Sequence, residues 1–227
     1  MTGLDEVREP HTTGPPVMIR DYRDQDEASW LRCRVLAFLS SAYYDDVKSE
    51  RTRFDGEAIR LVAVHAKPAG MTTPGADEVV GIIDVELFSA AEGGPAEPSQ
   101  QAGGSAEPSA TIDTIAVHPD HARAGIAGAL LEEALERLRG TGTTTLDAWT
   151  REDEAANDWY RKHHFAEQFA YLHVHKAWDD PDEGFTSPEG LSAPVTAFLH
   201  GRLEDEAALR RQFRRAYRCR QYLRRIG

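Results

Sequence analysis

The stretch Thr111–Leu138 reads TIDTIAVHPDHARAGIAGALLEEALERL. A β-branched run ends at His118-Pro119, small residues follow at Ala122, Ala124, Gly125, Ala127 and Gly128, and an apolar helical periodicity then takes over. A strand that feeds a helix through a small-residue turn can hold an anion. The first N–H groups of a helix lack internal acceptors, the helix dipole adds positive potential, and small side chains let a diphosphate reach the bare backbone. Two nucleotide-binding patterns are excluded in detail. A P-loop needs a lysine after its glycine, which neither Gly125 nor Gly128 has, and a dinucleotide fingerprint needs a third glycine that Gly125-Ile126-Ala127-Gly128 lacks.

Several carboxylates sit where proton transfer could use them. Strand alternation puts Asp113 on the side of Ile115 and Val117, and puts Asp84 and Glu86 on one face with Val80 and Ile82. An acid on an otherwise apolar strand face is either solvated at the strand end or functional. A further group, Tyr43-Tyr44-Asp45-Asp46, sets aromatic faces beside two carboxylates and could hold a cationic substrate. His163-His164 and the pair His173 and His175 have spacings a metal could use, but no carboxylate motif frames them, so no metal site is assigned.

The elements that must position these residues follow from periodicity. Strands are expected at Met18–Tyr22, Leu61–Ala66, Val79–Phe88, Thr111–Val117, Thr143–Thr150 and Phe169–His175. Helices are expected at Gln25–Leu39, Gly125–Leu138 and about Glu152–His163, the last opened by a Thr150/Asp153 capping pair. Gly184–Pro194 reads as loop, Leu203–Phe213 as helix, and Arg215–Arg224 as either a continuation of that helix or a last strand. The alternation of strands and helices predicts an α/β fold with a mixed sheet. Residues 1–16 read as a loose tail, and residues 17–227 as a single domain with a C-terminal helix-and-strand extension over 179–227. Residues 90–110 are built from Gly, Pro, Ser, Ala, Glu and Gln and read as a long low-complexity loop, and Pro68–Asp77 as another turn region.

Composition narrows the function further. The net charge of −12 coexists with nine arginines against three acids between Arg202 and Arg225, which leaves the rest of the chain strongly acidic. Such a body does not suit nucleic acid, whose binding depends on neutralising phosphates. No apolar run is long enough for a membrane helix, and the first residues lack the apolar core of a secretory signal. Two isolated cysteines, Cys33 and Cys219, support neither a disulfide framework nor a zinc site, so a reduced cytoplasm is expected.

With those residues in view, the chain resembles the GNAT superfamily of N-acetyltransferases. Val117-His118-Pro119 and Ala122-Arg123-Ala124-Gly125-Ile126-Ala127 look like the family's V-x-P turn and its [RQ]-x-x-G-x-[GA] pyrophosphate loop, with Ala122 where Arg or Gln is usual. EDEAANDWYRKHHF, Glu152–Phe165, resembles its N-E-A-A-x-x-[FW]-Y-x-x-x-G-F block, with Asp153 for the usual Asn and His164 for the usual Gly. The likeness covers most of Val17–His175, and the family's closing strand would fit Arg215–Arg224. It implies a mixed, mostly antiparallel central sheet flanked by helices. It also implies acetyl-CoA as acyl donor, held by Ile115, Ala116, Val117, Arg123, Ala124, Gly125, Ile126, Ala127, Gly128, Asn157 and Tyr160.

The implied activity is acetylation of a primary amine, small and cationic if Tyr43, Tyr44, Asp45 and Asp46 bind it, by direct attack in a ternary complex. The Val117 amide would polarise the thioester carbonyl, Tyr160 would protonate the departing sulfur, and Asp113 or Glu86 would take the amine's proton. A homodimer is common among relatives. The alternative on the same fold is a protein that binds acyl-CoA without turning it over.

Overall fold

A computed structural model describes residues 17–65, 77–89 and 107–227. The expected tail, most of the low-complexity loop and nearly all of the Pro68–Asp77 turn lie outside the described residues. In chain order the elements are β1 (Val17–Asp21), α1 (Glu27–Leu39), β2 (Ala58–His65), β3 (Glu78–Phe88), β4 (Ser109–Val117), α2 (Ile126–Arg139), β5 (Thr145–Thr150), α3 (Glu154–Lys162), β6 (Ala166–Lys176), β7 (Ala197–Gly201), α4 (Glu206–Gln212) and β8 (Arg215–Arg225).

Among the described residues the strands form one eight-stranded sheet in the order β1-β2-β3-β4-β5-β8-β6-β7. Every pairing is antiparallel except β4 with β5. β2 and β3 lie under helices on both faces, which is why their sequences are near-continuous apolar runs rather than alternating ones. α2 presents Ile126, Leu130, Leu131, Ala134, Leu135 and Leu138 to one face, all buried. Burying each leucine is worth about 1.5–3 kcal/mol. Gly81 admits this helix: a Cβ there would lie 2.6 Å from a methyl of Ile126. On the opposite face, α1 packs Trp30 and Cys33 against Val62, Val64, Val79, Ile82 and Ala116.

Two β-bulges alter the faces expected from alternation. β3 carries one extra residue opposite the Ala63–Val64 step, so Val80 joins the α2-side core while Ile82, Asp84 and Glu86 share the α1 side. β4 carries another. Asp84 pairs with Thr114 and Val85 with Ile112, which leaves Asp113 as the unpaired residue of the bulge.

The C-terminal segment differs most from its sequence pattern. β7 was not expected; its short alternating run, Ala197–Gly201, becomes a strand by lying along the free edge of β6. Arg215–Arg225 is a strand, not a helix, because it fills the gap between β5 and β6 and pairs with both. Within residues 179–227, β7 and β8 are thus strands of the main sheet. At the start of α3 the cap is Asp153 itself, which accepts from the Ala156 N–H at 3.2 Å; Thr150 is the last residue of β5.

Candidate active site

The sheet opens where β4 and β5 part. Their parallel pairing runs only from Ser109–Thr145 to Ile112–Ala148. Beyond it, β4 stays with β3 as far as Val117 and β5 stays with β8 as far as Thr150. The His118 N–H bonds to the Val80 carbonyl at 2.9 Å. In an antiparallel ladder bonded positions alternate, so Thr114 and Ala116 also bond β3, and the peptide groups of Ile115 and Val117 face the side β5 has left. A cleft of about 520 Å³ occupies that opening.

One wall of the cleft is the start of α2. Gly125 is its N-cap at φ +80°, a left-handed conformation that glycine adopts without strain. No side chain caps this end and no acid lies in its first turn. The first bond within the helix is Ala129 N–H to the Gly125 carbonyl, so the N–H groups of Ile126, Ala127 and Gly128 have no partner inside the helix. Arg123 is also left-handed, at φ +63°, and lines the cleft with Ala122 and Ala127. Ile126 sends its side chain into the core and leaves only its backbone at the helix start. Gly128 serves packing, since a Cβ there would come 3.1 Å from the His163 ring.

The other wall is α3, with Ala155, Ala156, Trp159 and Tyr160. Tyr160 is fixed from several directions. The helix ends in a Schellman turn in which the Phe165 N–H bonds the Tyr160 carbonyl at 3.1 Å and the His164 N–H bonds the Arg161 carbonyl at 3.1 Å. His164 takes the left-handed position of that turn at φ +64°, where the sequence block ordinarily has glycine. The Tyr160 ring meets Phe165 at 5.3 Å and stacks on Tyr222 at 5.3 Å. Burial, with the charge of Asp147 adding, holds its phenol well above the usual range, so it carries its proton at neutral pH.

Asn157 does not line the cleft. Its amide donates to the carbonyls of Arg151 at 2.7 Å and Asp153 at 2.6 Å, and its oxygen accepts from the Tyr222 hydroxyl at 2.9 Å. It ties α3 to β5 and β8.

The acids expected to serve as base lie on the α1 side of the bulge. Asp113 lines the cleft, accepts from Thr52 and Thr114 at 3.0 Å each, and has Lys48 at 3.6 Å. Glu86 is half-buried, and burial together with the charges of Asp113 and Asp55 raises its carboxyl above the usual range. Asp84 is fully buried beside Arg51 at 3.1 Å; burial pushes it up to about 6 against the pull of Arg51.

The group read as a cation site is arranged otherwise. Tyr43 and Asp46 line the cleft, but Asp46 accepts from Arg34 at 2.6 Å. Asp45 meets Arg215 at 3.0 Å, Arg151 at 3.2 Å and His175 at 3.6 Å. Burial pushes the Asp45 carboxyl up, but the Arg215 guanidinium outweighs it and holds it below the usual range. The Tyr43 ring covers Arg151 at 4.4 Å and Tyr44 covers Arg215 at 4.6 Å. Both carboxylates are therefore counterions to the chain's own arginines rather than free ligands for a cationic acceptor. Sequence reasoning missed Arg34, Lys48, Trp149 and Arg151. Arg34 and Arg151 were legible only as charges on a helix and at a strand end, yet they are 2% and 6% exposed.

The family model described as Acetyltransferase (GNAT) family matches residues 18–165. No curated protein matches the chain. Among solved structures, Arabidopsis thaliana NAA60 in complex with a bisubstrate analogue is 14% identical, with 93% of this chain and 99% of that chain covered and a TM-score of 0.54. The same plant protein in complex with acetyl-CoA gives 13% identity, the same coverage and a TM-score of 0.51. An N-acetyltransferase from Staphylococcus aureus Mu50 gives 14% identity, again 93% and 99% coverage, and a TM-score of 0.51. At these identities the likeness establishes the fold. Among the described residues no helix is long and apolar enough to cross a membrane.

Proposed function

Because the chain belongs to the acetyltransferase (GNAT) family, we propose that it transfers an acetyl group from acetyl-CoA to a primary amine by direct attack within a ternary complex. The observation that carries this reading is the opening between β4 and β5. It sets unpaired peptide groups, an uncapped helix start and a protonated phenol around one cleft.

The diphosphate of the donor would lie on the N–H groups of Ile126, Ala127 and Gly128, with Arg123 beside it. The pantetheine arm would run along the open edge of β4, past Ile115 and Val117, between that strand and α3. There the Val117 N–H faces the thioester oxygen and stabilises the charge that develops on it as the amine attacks. Tyr160, held protonated, gives its proton to the departing thiolate as the C–S bond breaks. The amine must lose a proton to attack, and Asp113 and Glu86 are the carboxylates on the side where it would arrive. Cys33 and Cys219 are buried thiols rather than a disulfide, which fits a reduced cytoplasm as the compartment.

The test is the pH profile of CoA release for the wild type, Asp113→Asn and Glu86→Gln. The base must be ionised, so turnover falls as pH drops through its pKa. Removing the Asp113 charge lowers the pKa of Glu86, which that charge holds up. If Glu86 is the base, Asp113→Asn keeps its plateau and its acid limb moves to lower pH. If Asp113 is the base, the plateau itself falls by about 100-fold or more. Full plateaus in both variants, with unmoved limbs, would exclude both residues.

A further inference from the structure

Residues 40–57, between α1 and β2, form no helix or strand, yet side chains from both halves of the sheet hold them in place. The outward leg is held to the β5 branch of the opening. Arg151, next after β5, donates to the Ala42 carbonyl at 2.6 Å and to the Asp45 carboxylate at 3.2 Å. Arg215, at the start of β8, meets Asp45 at 3.0 Å. The rings of Tyr43 and Tyr44 cover these two guanidiniums. Arg151 is itself fixed, because its Nε donates to His173 at 3.1 Å. The return leg is held to the β4 branch. Thr52 donates to Asp113 at 3.0 Å, Lys48 lies 3.6 Å from the same carboxylate, and Arg51 pairs with Asp84 of β3 at 3.1 Å.

β4 and β5 part after Ile112 and Ala148. A segment that touches Arg151 on one branch and Asp113 on the other crosses the opening between them. It crosses on the face of Asp113, where the proposed amine arrives, and it gives Ser41, Tyr43, Asp46 and Lys48 to the lining of the cleft. The two anchorages differ. On the β4 branch several short contacts share the hold. On the β5 branch the charge that faces both guanidiniums is the single carboxylate of Asp45, whose side chain is 30% exposed.

We infer that residues 41–52 are a strap latched across the acceptor end of the cleft by Asp45, and that Asp45 is a positioning residue which selects small amines over amines carried on a polypeptide. The inference rests on the acetyl-transfer reading and names the size class of its acceptor. A small amine fits beneath the latched strap. The residues that follow the amine of a peptide extend into the line of the strap, so a peptide binds only the unlatched molecules. Its apparent affinity is reduced by the fraction of molecules that are open, and weakening the latch raises that fraction. Asp45 touches no reacting atom and acts through the strap alone.

The test uses the full chain and two acceptors, alaninamide and trialaninamide. Both present an alanine α-amine next to an amide and differ in length. For the wild type, Asp45→Asn and Arg215→Gln, kcat/KM is measured from CoA release, and the rate of tryptic cleavage after Lys48 reports the strap directly. The wild type should prefer alaninamide by about tenfold or more. Each variant should raise the trialaninamide value by about tenfold without raising that of alaninamide, and should speed cleavage after Lys48 by a similar factor. Urea unfolding of the same samples separates an opened strap from a loosened fold. Where Asp45→Asn does not fold, Arg215→Gln decides, since it leaves Asp45 its contact with Arg151. A wild type that accepts both amines equally, a ratio that the folded variants leave unchanged, or a cleavage rate after Lys48 that they leave unchanged would overturn the inference. Where neither amine turns over, the same ratio is taken from isothermal titration against the CoA-saturated protein. Acetyl-CoA affinity reports on the donor site separately. If it is absent, the transfer reading fails and takes the selection with it; if it is intact and the acceptor ratio is near one, only the strap's role fails.

Discussion

Tyr160→Phe is expected to lower kcat by about 100-fold or more while the KM for acetyl-CoA stays close to the wild-type value. The substitution removes one oxygen. The ring keeps its stack on Tyr222 and its contact with Phe165, and the Schellman turn that closes α3 uses only the Tyr160 carbonyl. The fold should therefore survive with a loss of about 1 kcal/mol at most. On the proposed mechanism, what is lost is the donor that meets charge building on sulfur in the transition state, so the effect falls on turnover and not on binding of the ground state. Steady-state kinetics with acetyl-CoA as the varied substrate decides it, and an unchanged kcat would remove Tyr160 from the mechanism.

Ala127→Glu should act on the opposite quantity. Ala127 lines the cleft in the first turn of α2, where no acid and no side-chain cap occupies the free N–H groups. A glutamate there is favoured by the helix dipole by about 0.3–1 kcal/mol, so urea unfolding should show unchanged or slightly raised stability. Its carboxylate would lie where the proposed function puts the donor's diphosphate. Like charges about 4 Å apart at a protein surface repel by about 4 kcal/mol. A loss of acetyl-CoA affinity of about 100-fold or more is the outcome to expect, measured by isothermal titration. If the variant bound acetyl-CoA as tightly as the wild type, the diphosphate would not lie on this helix.

What the sequence disclosed and what it hid divide along physical lines. The uncapped start of α2 was legible because its determinants are local. Small residues before an amphipathic run mark a helix start that can bind an anion, and Gly125 at positive φ with α2 behind it is that arrangement in space. Tyr160 was legible only through a resemblance; nothing in its own spacing distinguishes it from a buried helix aromatic. The pairing of the carboxylates at 45 and 46 was hidden because its determinants are long-range. Asp45 and Asp46 read as free carboxylates, since their partners Arg215, Arg151 and Arg34 lie far away in sequence. The far half of the sheet needs β8 to insert between β5 and β6, and that insertion depends on two open strand edges that no local pattern encodes. Asp113 was placed on the correct strand, but its bulge depends on register with β3. Asn157 illustrates the reverse case. It lies in a recognisable block, yet its side chain is occupied by hydrogen bonds to two backbone carbonyls and Tyr222.

The central claim is that the opening between β4 and β5 holds acetyl-CoA, and a thermal-shift titration with acetyl-CoA, against free CoA and ATP, tests it most directly. A ligand that binds only the folded chain stabilises it by about 2.7 kcal/mol at about 100 times its Kd. A saturable rise in Tm with acetyl-CoA, absent with ATP and lost in Ala127→Glu, is the predicted result. No shift with acetyl-CoA at millimolar concentration would contradict the claim.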